Sequence, residues 1–101
     1  MVKTYSNRTK KALYVVAYDI VDNKRRNRMV KLLEPYGRRI NYSVFECLVP
    51  KSQVDRFLNE IGSLIDPKVD QVVCYNICVD CYAKTYYIPA VPSPGKVTVV
   101  V

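Results

Sequence analysis

A run of apolar and aromatic residues near the start of the chain, Leu13 to Tyr18, constrains the fold more than any other feature. Its β-branched valines and its lack of charged residues are typical of a strand that is buried on both faces. The run delivers one carboxylate, Asp19, to the end of that strand, and a strongly basic segment follows it. Asp19 could simply start the turn into the next helix. Beside so many cations it also suits phosphate chemistry, and both interpretations stay open at this point.

The next elements follow from capping signals and periodicity. Asp22 is a suitable N-cap for a helix that ends at Pro35 and Gly37, because proline disfavours helix at the preceding residue and glycine supplies a C-terminal cap. The β-rich segment beyond it is broken by turn-forming residues, which predicts two short strands at about 38–41 and 43–49. One long bent strand is the alternative.

A second helix is predicted between Pro50 and Pro67, because its apolar residues recur with helical spacing over three turns. Ser52 and Asp55 have the spacing of a capping box at its start. A further strand is predicted over Val69 to Val79, where β-branched and apolar residues dominate.

These elements predict an α+β fold, specifically a ferredoxin-like βαββαβ sandwich with an extra C-terminal strand. The 101 residues form one domain. We expect a flexible basic arm at 1–12, the ferredoxin-like domain at 13–88, and a proline-rich link and terminal strand at 89–101. Residues 97–101 are nearly all β-branched and need a sheet to join, in this chain or in a partner.

The net charge of +7 is concentrated in one half of the chain. Residues 1–51 carry 12 lysines and arginines against 4 acidic residues, whereas residues 52–101 carry 4 against 5. This asymmetry favours a polyanion partner, and nucleic acid in particular, over a merely solvated basic face. An anionic membrane fits less well, because the basic helix lacks a large exposed apolar face. Without an apolar secretory signal at the N-terminus, the expected location is cytoplasmic.

The chain contains no histidine, which removes Ser-His and Cys-His nucleophilic mechanisms. Phosphodiester hydrolysis would then use a metal-bound water held by carboxylates, although a tyrosine or lysine could also take part. A hard cation such as Mg²⁺ needs oxygen ligands and keeps several waters, so few carboxylates suffice. One Asp19 is a sparse metal site. Two copies of Asp19 facing each other across a dimer axis would be a better one.

Four cysteines are present, and two of them form a Cys-x-x-Cys pair. A structural zinc site usually needs a second such pair or histidines. We therefore expect ordinary packing or loop thiols and no zinc, with a zinc-stabilised binding module as a third alternative. The cysteines are Cys47, Cys74, Cys78 and Cys81.

Several of these residues together resemble a known family. The segment Tyr18-Asp19-Ile20, the arginine-rich helix after it, Tyr36-Gly37 and the stretch from Arg39 to Glu46 are similar to the small CRISPR-associated endonucleases called Cas2. The resemblance extends over about residues 13–88. Asn41 stands where glutamine is more usual, and the basic arm at 1–12 is additional.

The resemblance implies a homodimer in which each subunit contributes Asp19 as catalytic residue and metal ligand, with Mg²⁺ as the usual ion and Mn²⁺ as a substitute. It implies cleavage of single-stranded RNA or double-stranded DNA during spacer acquisition for antiviral defence. It also implies a terminal strand that pairs with the partner's sheet. Residues expected to bind nucleic acid are Lys24, Arg25, Arg26, Arg28 and Arg39, and those expected to shape the site are Tyr18, Ser43 and Phe45.

The resemblance also implies an alternative function. In the same family the dimer forms the centre of a spacer-integration complex, held between copies of the Cas1 integrase. A member of this kind could act as a non-catalytic DNA-binding scaffold.

Overall fold

A computed structural model of the protein describes residues 11–90. Most of the predicted basic arm and the whole predicted terminal strand lie outside this range. The strands and helices are β1 (Lys11–Asp19), α1 (Asn23–Leu33), β2 (Gly37–Asn41), β3 (Val44–Pro50), α2 (Val54–Leu64), β4 (Gln71–Ile77) and α3 (Val79–Ala83). β1 thus begins two residues before the predicted domain boundary.

The four strands form one antiparallel sheet in the order β2-β3-β1-β4. Val16, in the middle of β1, lies opposite Phe45 of β3 and Cys74 of β4. α1 connects β1 to β2 and α2 connects β3 to β4, and neither pair of strands is adjacent in the sheet, which is the split arrangement predicted from the sequence. The ferredoxin-like α+β prediction is confirmed.

The core lies between one face of the sheet and the helices α1 and α2. Alternate residues of β1, namely Val16 and Tyr18, point to this face together with Phe45 of β3, because successive side chains of a strand point to opposite sides. α1 and α2 bury their apolar stripes against them, and the Tyr36 and Phe57 rings meet edge to face at 4.8 Å. The helix residues that are buried are Met29, Leu33, Phe57 and Ile61.

The structure confirms the predicted cap of the first helix and the two-strand interpretation. The Asp22 carboxylate accepts a hydrogen bond from the Arg25 N–H at 3.0 Å. β2 and β3 are separate strands joined by Tyr42 and Ser43. After α1 the chain continues through a short 3₁₀ turn, and Gly37 is extended, with a φ of −176°. Gly37 therefore opens β2 and is the C-cap of the 3₁₀ turn, whereas the C-cap of α1 itself is Glu34.

The capping box predicted for the second helix is wrong. Pro50 is the last residue of β3, and a 3₁₀ turn over Lys51–Gln53 precedes α2. Gln53 occupies the N-cap position, and no side chain caps the helix. Since the chain makes this extra turn first, Ser52 lies inside the turn and not at the cap.

The last predicted strand is too long at both ends, since β4 covers only Gln71–Ile77. Before it, Asp66 closes a turn by accepting hydrogen bonds from the Val69 and Asp70 N–H groups at 3.1 and 2.8 Å. After it, the Cys78 Sγ accepts the Cys81 N–H at 3.2 Å and caps α3, a helix that the sequence pattern does not predict. Among the described elements, no helix is long and apolar enough to cross a membrane.

Candidate carboxylate site and nucleic-acid interface

Asp19 is the last residue of β1 and its side chain is exposed. Its register partner is Gln71, the first residue of β4. Because Tyr18 points into the core, alternation directs Asp19 to the face of the sheet opposite α1 and α2, called the open face below. Within residues 11–90, its carboxylate has no hydrogen bond and no ion pair. The fold therefore holds the backbone of Asp19 in a rigid strand and leaves the side chain uncommitted.

Neighbouring carboxylates differ from Asp19, because they are used by the fold. Asp22 caps α1. Glu46 is only 5% exposed and accepts hydrogen bonds from the Arg38 Nε at 3.4 Å and from the Tyr82 hydroxyl at 3.3 Å. The Tyr87 hydroxyl donates to it as well. Burial and this bond to Glu46 raise the pKa of Tyr87. The Glu46 cluster ties α3, through Tyr82, and the segment after it, through Tyr87, to the open face of the sheet.

The turn between β2 and β3 is fixed to the end of β1 beside Asp19. The Tyr18 N–H donates to the Ser43 carbonyl at 3.0 Å, and the Tyr18 hydroxyl donates to the Tyr42 carbonyl at 2.9 Å. Burial raises the pKa of Tyr18, so its hydroxyl stays protonated as a donor. Tyr18 and Ser43, two of the predicted site-shaping residues, thus hold the strand end and the turn together.

Phe45, the third predicted site-shaping residue, is completely buried on the helix side of the sheet. Its ring stacks on Tyr18, with 6.5 Å between centroids. Phe45 therefore packs against Tyr18 within the core and has no surface exposed beside Asp19.

Four of the five predicted cations fall into two groups. Lys24 and Arg28 are exposed on α1, and neither has a hydrogen bond or an ion pair in the described part of the chain. Arg26 donates from its Nη1 to the Ile20 carbonyl at 2.6 Å, and Arg39 donates from its Nη2 to the Tyr42 carbonyl at 2.9 Å. Lys24 and Arg28 are thus the two that remain available for phosphate groups, whereas Arg26 and Arg39 also support backbone turns.

Arg25 is bound to a carboxylate that the sequence does not single out. Its Nε lies 2.8 Å from Asp70 Oδ2, and the Asp70 side chain is fully buried. The same carboxylate accepts the N–H groups of Val21 and Asp66, both at 2.9 Å. The bond to Arg25 and these N–H bonds lower the pKa of Asp70 to about 2. Arg25 therefore joins α1 to the turn before β4.

This pairing predicts a pH-dependent stability. The pKa of Asp70 is about 2 in the folded protein and 3.8 as the ordinary value, so its stabilisation is complete above about pH 4 and is lost as the pH falls towards 2. We expect Asp70→Asn to lower the urea midpoint at neutral pH, and the gap from wild type to narrow between pH 4 and 2. Asp55→Asn, on the exposed side of α2, is the control. A constant gap over that range would contradict the prediction.

The cysteines divide between the core and the surface. Cys47 is fully buried, and desolvation raises the pKa of its thiol to about 12. Cys74 packs against the same core, whereas Cys78 and Cys81 are exposed beside α3. Across residues 11–90, no three histidine, cysteine or acidic side chains gather into a group that could hold a metal ion.

Comparison with known proteins agrees with the fold. The family model described as CRISPR associated protein Cas2 matches residues 12–85. A CRISPR-associated endoribonuclease Cas2 from Rhodospirillum rubrum is 46% identical over 71 residues, which is 70% of this chain and 57% of that protein. The chain thus spans little more than half the length of this relative.

Two solved structures are also similar. Streptococcus pyogenes Cas2 has a TM-score of 0.68 and 26% identity, over 74% of this chain and 96% of that one. A chain of a partial Cas6-RT-Cas1–Cas2 complex has a TM-score of 0.64 and 26% identity, over 89% and 98%. Since the family match covers most of the chain, this protein belongs to the CRISPR associated protein Cas2 family.

Proposed function

We propose that this chain forms a homodimer that uses a divalent metal ion to hydrolyse phosphodiester bonds of RNA or DNA. The reaction would take part in spacer acquisition. The observation that carries the proposal is the uncommitted carboxylate of Asp19. It stands at the end of a rigid strand, while nearby carboxylates at Asp22, Glu46 and Asp70 are used by the fold. Relatives named endoribonucleases support the same reaction class.

The carboxylate oxygens of Asp19 suit a hard ion such as Mg²⁺ better than a softer ion, and Mn²⁺ is the expected substitute. One Asp19 offers a single carboxylate oxygen pair, which is few even for an ion that retains several waters. A second Asp19 from a partner subunit would complete a hard-oxygen site. When bound, such an ion lowers the pKa of a bound water and offsets charge on the phosphate.

The open face of the sheet supports a dimer of this kind. Alternation in the central strand directs Val15 and Ala17 to the same face as Asp19, and their register partners include Val44, Val73 and Tyr75. Tyr75 is 57% exposed. Packing this apolar face against a second copy would remove it from water and bring both Asp19 residues to one interface.

Individual cations would contribute differently. Lys24 and Arg28 would contact phosphates directly and supply affinity with little sequence preference. Arg26 and Arg39 already stabilise backbone carbonyls, so they would act on the nucleic acid from a fixed position. Arg25 would mainly position α1 through Asp70.

The test of the nuclease proposal is cleavage by the purified full-length protein. Labelled single-stranded RNA and double-stranded DNA are incubated with Mg²⁺, Mn²⁺ or EDTA. We expect cleavage with either ion and none with EDTA. Absence of cleavage of both substrates with both ions would contradict the proposal.

A second function, the DNA-binding scaffold of an integration complex, is favoured by the similarity to a chain in an assembly that contains Cas1. The exposed cations Lys24 and Arg28 suit it as well. In that case the partner would be a Cas1 integrase, and the activity to measure is spacer integration with such a partner.

Charge reversal at Lys24 and Arg28 separates nucleic-acid binding from folding. We expect the double variant Lys24→Glu, Arg28→Glu to bind DNA much more weakly. The slope of the logarithm of the binding constant against the logarithm of the salt concentration should become shallower, by the amount that corresponds to about two lost phosphate contacts. Integration with Cas1 should fall in parallel. The control, Lys51→Glu with Arg56→Glu, changes the net charge equally on exposed residues outside the basic helix. Equal losses of DNA affinity in the two double variants would show that only net charge matters, and would contradict the assignment of Lys24 and Arg28 as phosphate contacts.

A further inference from the structure

The β2–β3 turn presents an aromatic ring to solvent. Tyr42 is 87% exposed, although a tyrosine ring is largely apolar. Its ring makes no contribution to the described core cluster. The side chain is therefore not explained by folding.

The backbone that carries this ring is nevertheless held firmly. The Tyr42 carbonyl accepts two hydrogen bonds at 2.9 Å, one from the buried Tyr18 hydroxyl and one from the Arg39 Nη2. The Ser43 N–H donates to Asn41 Oδ1 at 3.0 Å. Because hydrogen bonds already order the backbone around Tyr42, little further backbone entropy is lost when its ring binds a ligand.

A second flat group, the Arg39 guanidinium, lies over one face of the ring and leaves the other face for a ligand. The Arg39 guanidinium carbon is 5.7 Å from the centroid of the Tyr42 ring. A shallow open depression at this place is lined by Arg39, Ile40, Asn41 and Tyr42. Unpaired nucleobases stack on aromatic rings and on guanidinium planes, and the positive charge also attracts the adjoining phosphate.

The position of the ring connects it with Asp19. The turn is hydrogen bonded to Tyr18, the residue before Asp19, through both the backbone and the hydroxyl. A strand with one base on Tyr42 would therefore have its backbone at the end of β1 that carries the carboxylate. Duplex bases have no free face, so the arrangement suits single-stranded nucleic acid.

We propose that Tyr42 and Arg39 form a stacking site for an unpaired nucleobase, which holds single-stranded RNA or DNA beside Asp19. The inference rests on the proposed function, because it assumes that the chain binds nucleic acid. It adds a contact to the base, whereas the cations of α1 contact only phosphates.

The test measures the binding of short single-stranded oligonucleotides by fluorescence anisotropy. EDTA is present so that no metal ion takes part. One oligonucleotide carries bases, and a second of equal length and charge is abasic. We expect wild type to prefer the base-bearing strand. Tyr42→Ala should lose about 5- to 100-fold in affinity for that strand and leave the affinity for the abasic strand unchanged. Tyr42→Trp should retain the preference.

Tyr86→Ala is the matched control, because Tyr86 is also 87% exposed and has no cation–π partner in the described range. It should bind both strands as wild type does. Equal affinity of wild type for both strands, or an equal loss on both strands in Tyr42→Ala, would overturn the stacking site and leave the proposed function standing. If wild type bound neither strand, the stacking site would be overturned, and the proposed function would be decided separately by the cleavage of double-stranded DNA.

Discussion

Replacing Asp19 by asparagine is expected to remove metal-dependent cleavage while the protein remains folded and binds nucleic acid. The loss should be about 100-fold or more, since removing only an outer partner of a metal ligand already costs roughly 10- to 100-fold. The fold does not use the Asp19 carboxylate, which has no partner within residues 11–90. Circular dichroism and the thermal midpoint should therefore match those of wild type. Binding in EDTA should be equal or slightly tighter, because a negative charge near the phosphates is lost.

Asp22→Asn is the matched control for this experiment. It makes the same chemical change three residues away, and asparagine caps a helix as well as aspartate does. Both cleavage and stability should stay near wild type. Wild-type cleavage by Asp19→Asn would contradict the catalytic role. Loss of cleavage with intact spacer integration would show that the scaffold role is independent of Asp19.

Replacing Gly37 by alanine is expected to cause the largest loss of stability of any single change considered. A Cβ atom at this position would lie 1.7 Å from the Glu46 carbonyl oxygen and 2.8 Å from the Cys47 Cα. All the atoms it meets belong to the backbone of β3, so no side chain can move aside. β2 must separate from β3, and we expect a loss of about 3 kcal/mol or more, the upper end of what overpacking costs.

Gly62→Ala is the control for backbone and composition effects. A Cβ atom at Gly62 meets nothing within 4 Å, and the residue lies on the exposed side of α2. Alanine should stabilise the fold there by about 0.5–1 kcal/mol, because it restricts the unfolded chain and favours helix. Urea unfolding of both variants measures the contrast. A Gly37→Ala protein as stable as wild type would contradict the close approach of β2 to β3.

The separation of β2 from β3 in Gly37→Ala should also disturb contacts on the open face of the sheet. Arg38, the next residue, is bound to Glu46, which in turn holds Tyr82 and Tyr87. The resemblance to Cas2 draws attention to Glu46 as part of a motif, and its neighbours explain it as a structural residue. Glu46 is buried and accepts hydrogen bonds from three donors, and this structural role, not a catalytic one, accounts for a carboxylate at this position.

Local patterns in the sequence were sufficient for the order of the four strands and two long helices, for the N-cap at Asp22 and for the position of Asp19 at the end of β1. These features depend on residues within a few positions of one another, where periodicity and capping act. The uneven charge likewise requires only composition. The same local information failed at Ser52 and at α3, where a 3₁₀ turn and a cysteine cap override the pattern.

Only the tertiary structure decided which charged residues are available. Arg25 and Lys24 are neighbours in the sequence, yet Arg25 is bound to Asp70, 45 residues away, and Lys24 is exposed. The Tyr18 hydroxyl donates to the carbonyl of Tyr42, 24 residues away, and so anchors the backbone that carries the exposed Tyr42 ring. Such pairs form because packing the sheet against α1 and α2 brings distant segments within hydrogen-bond range. Composition and local pattern thus place the charged and apolar residues along the chain, and packing selects the ones that stay exposed for a ligand.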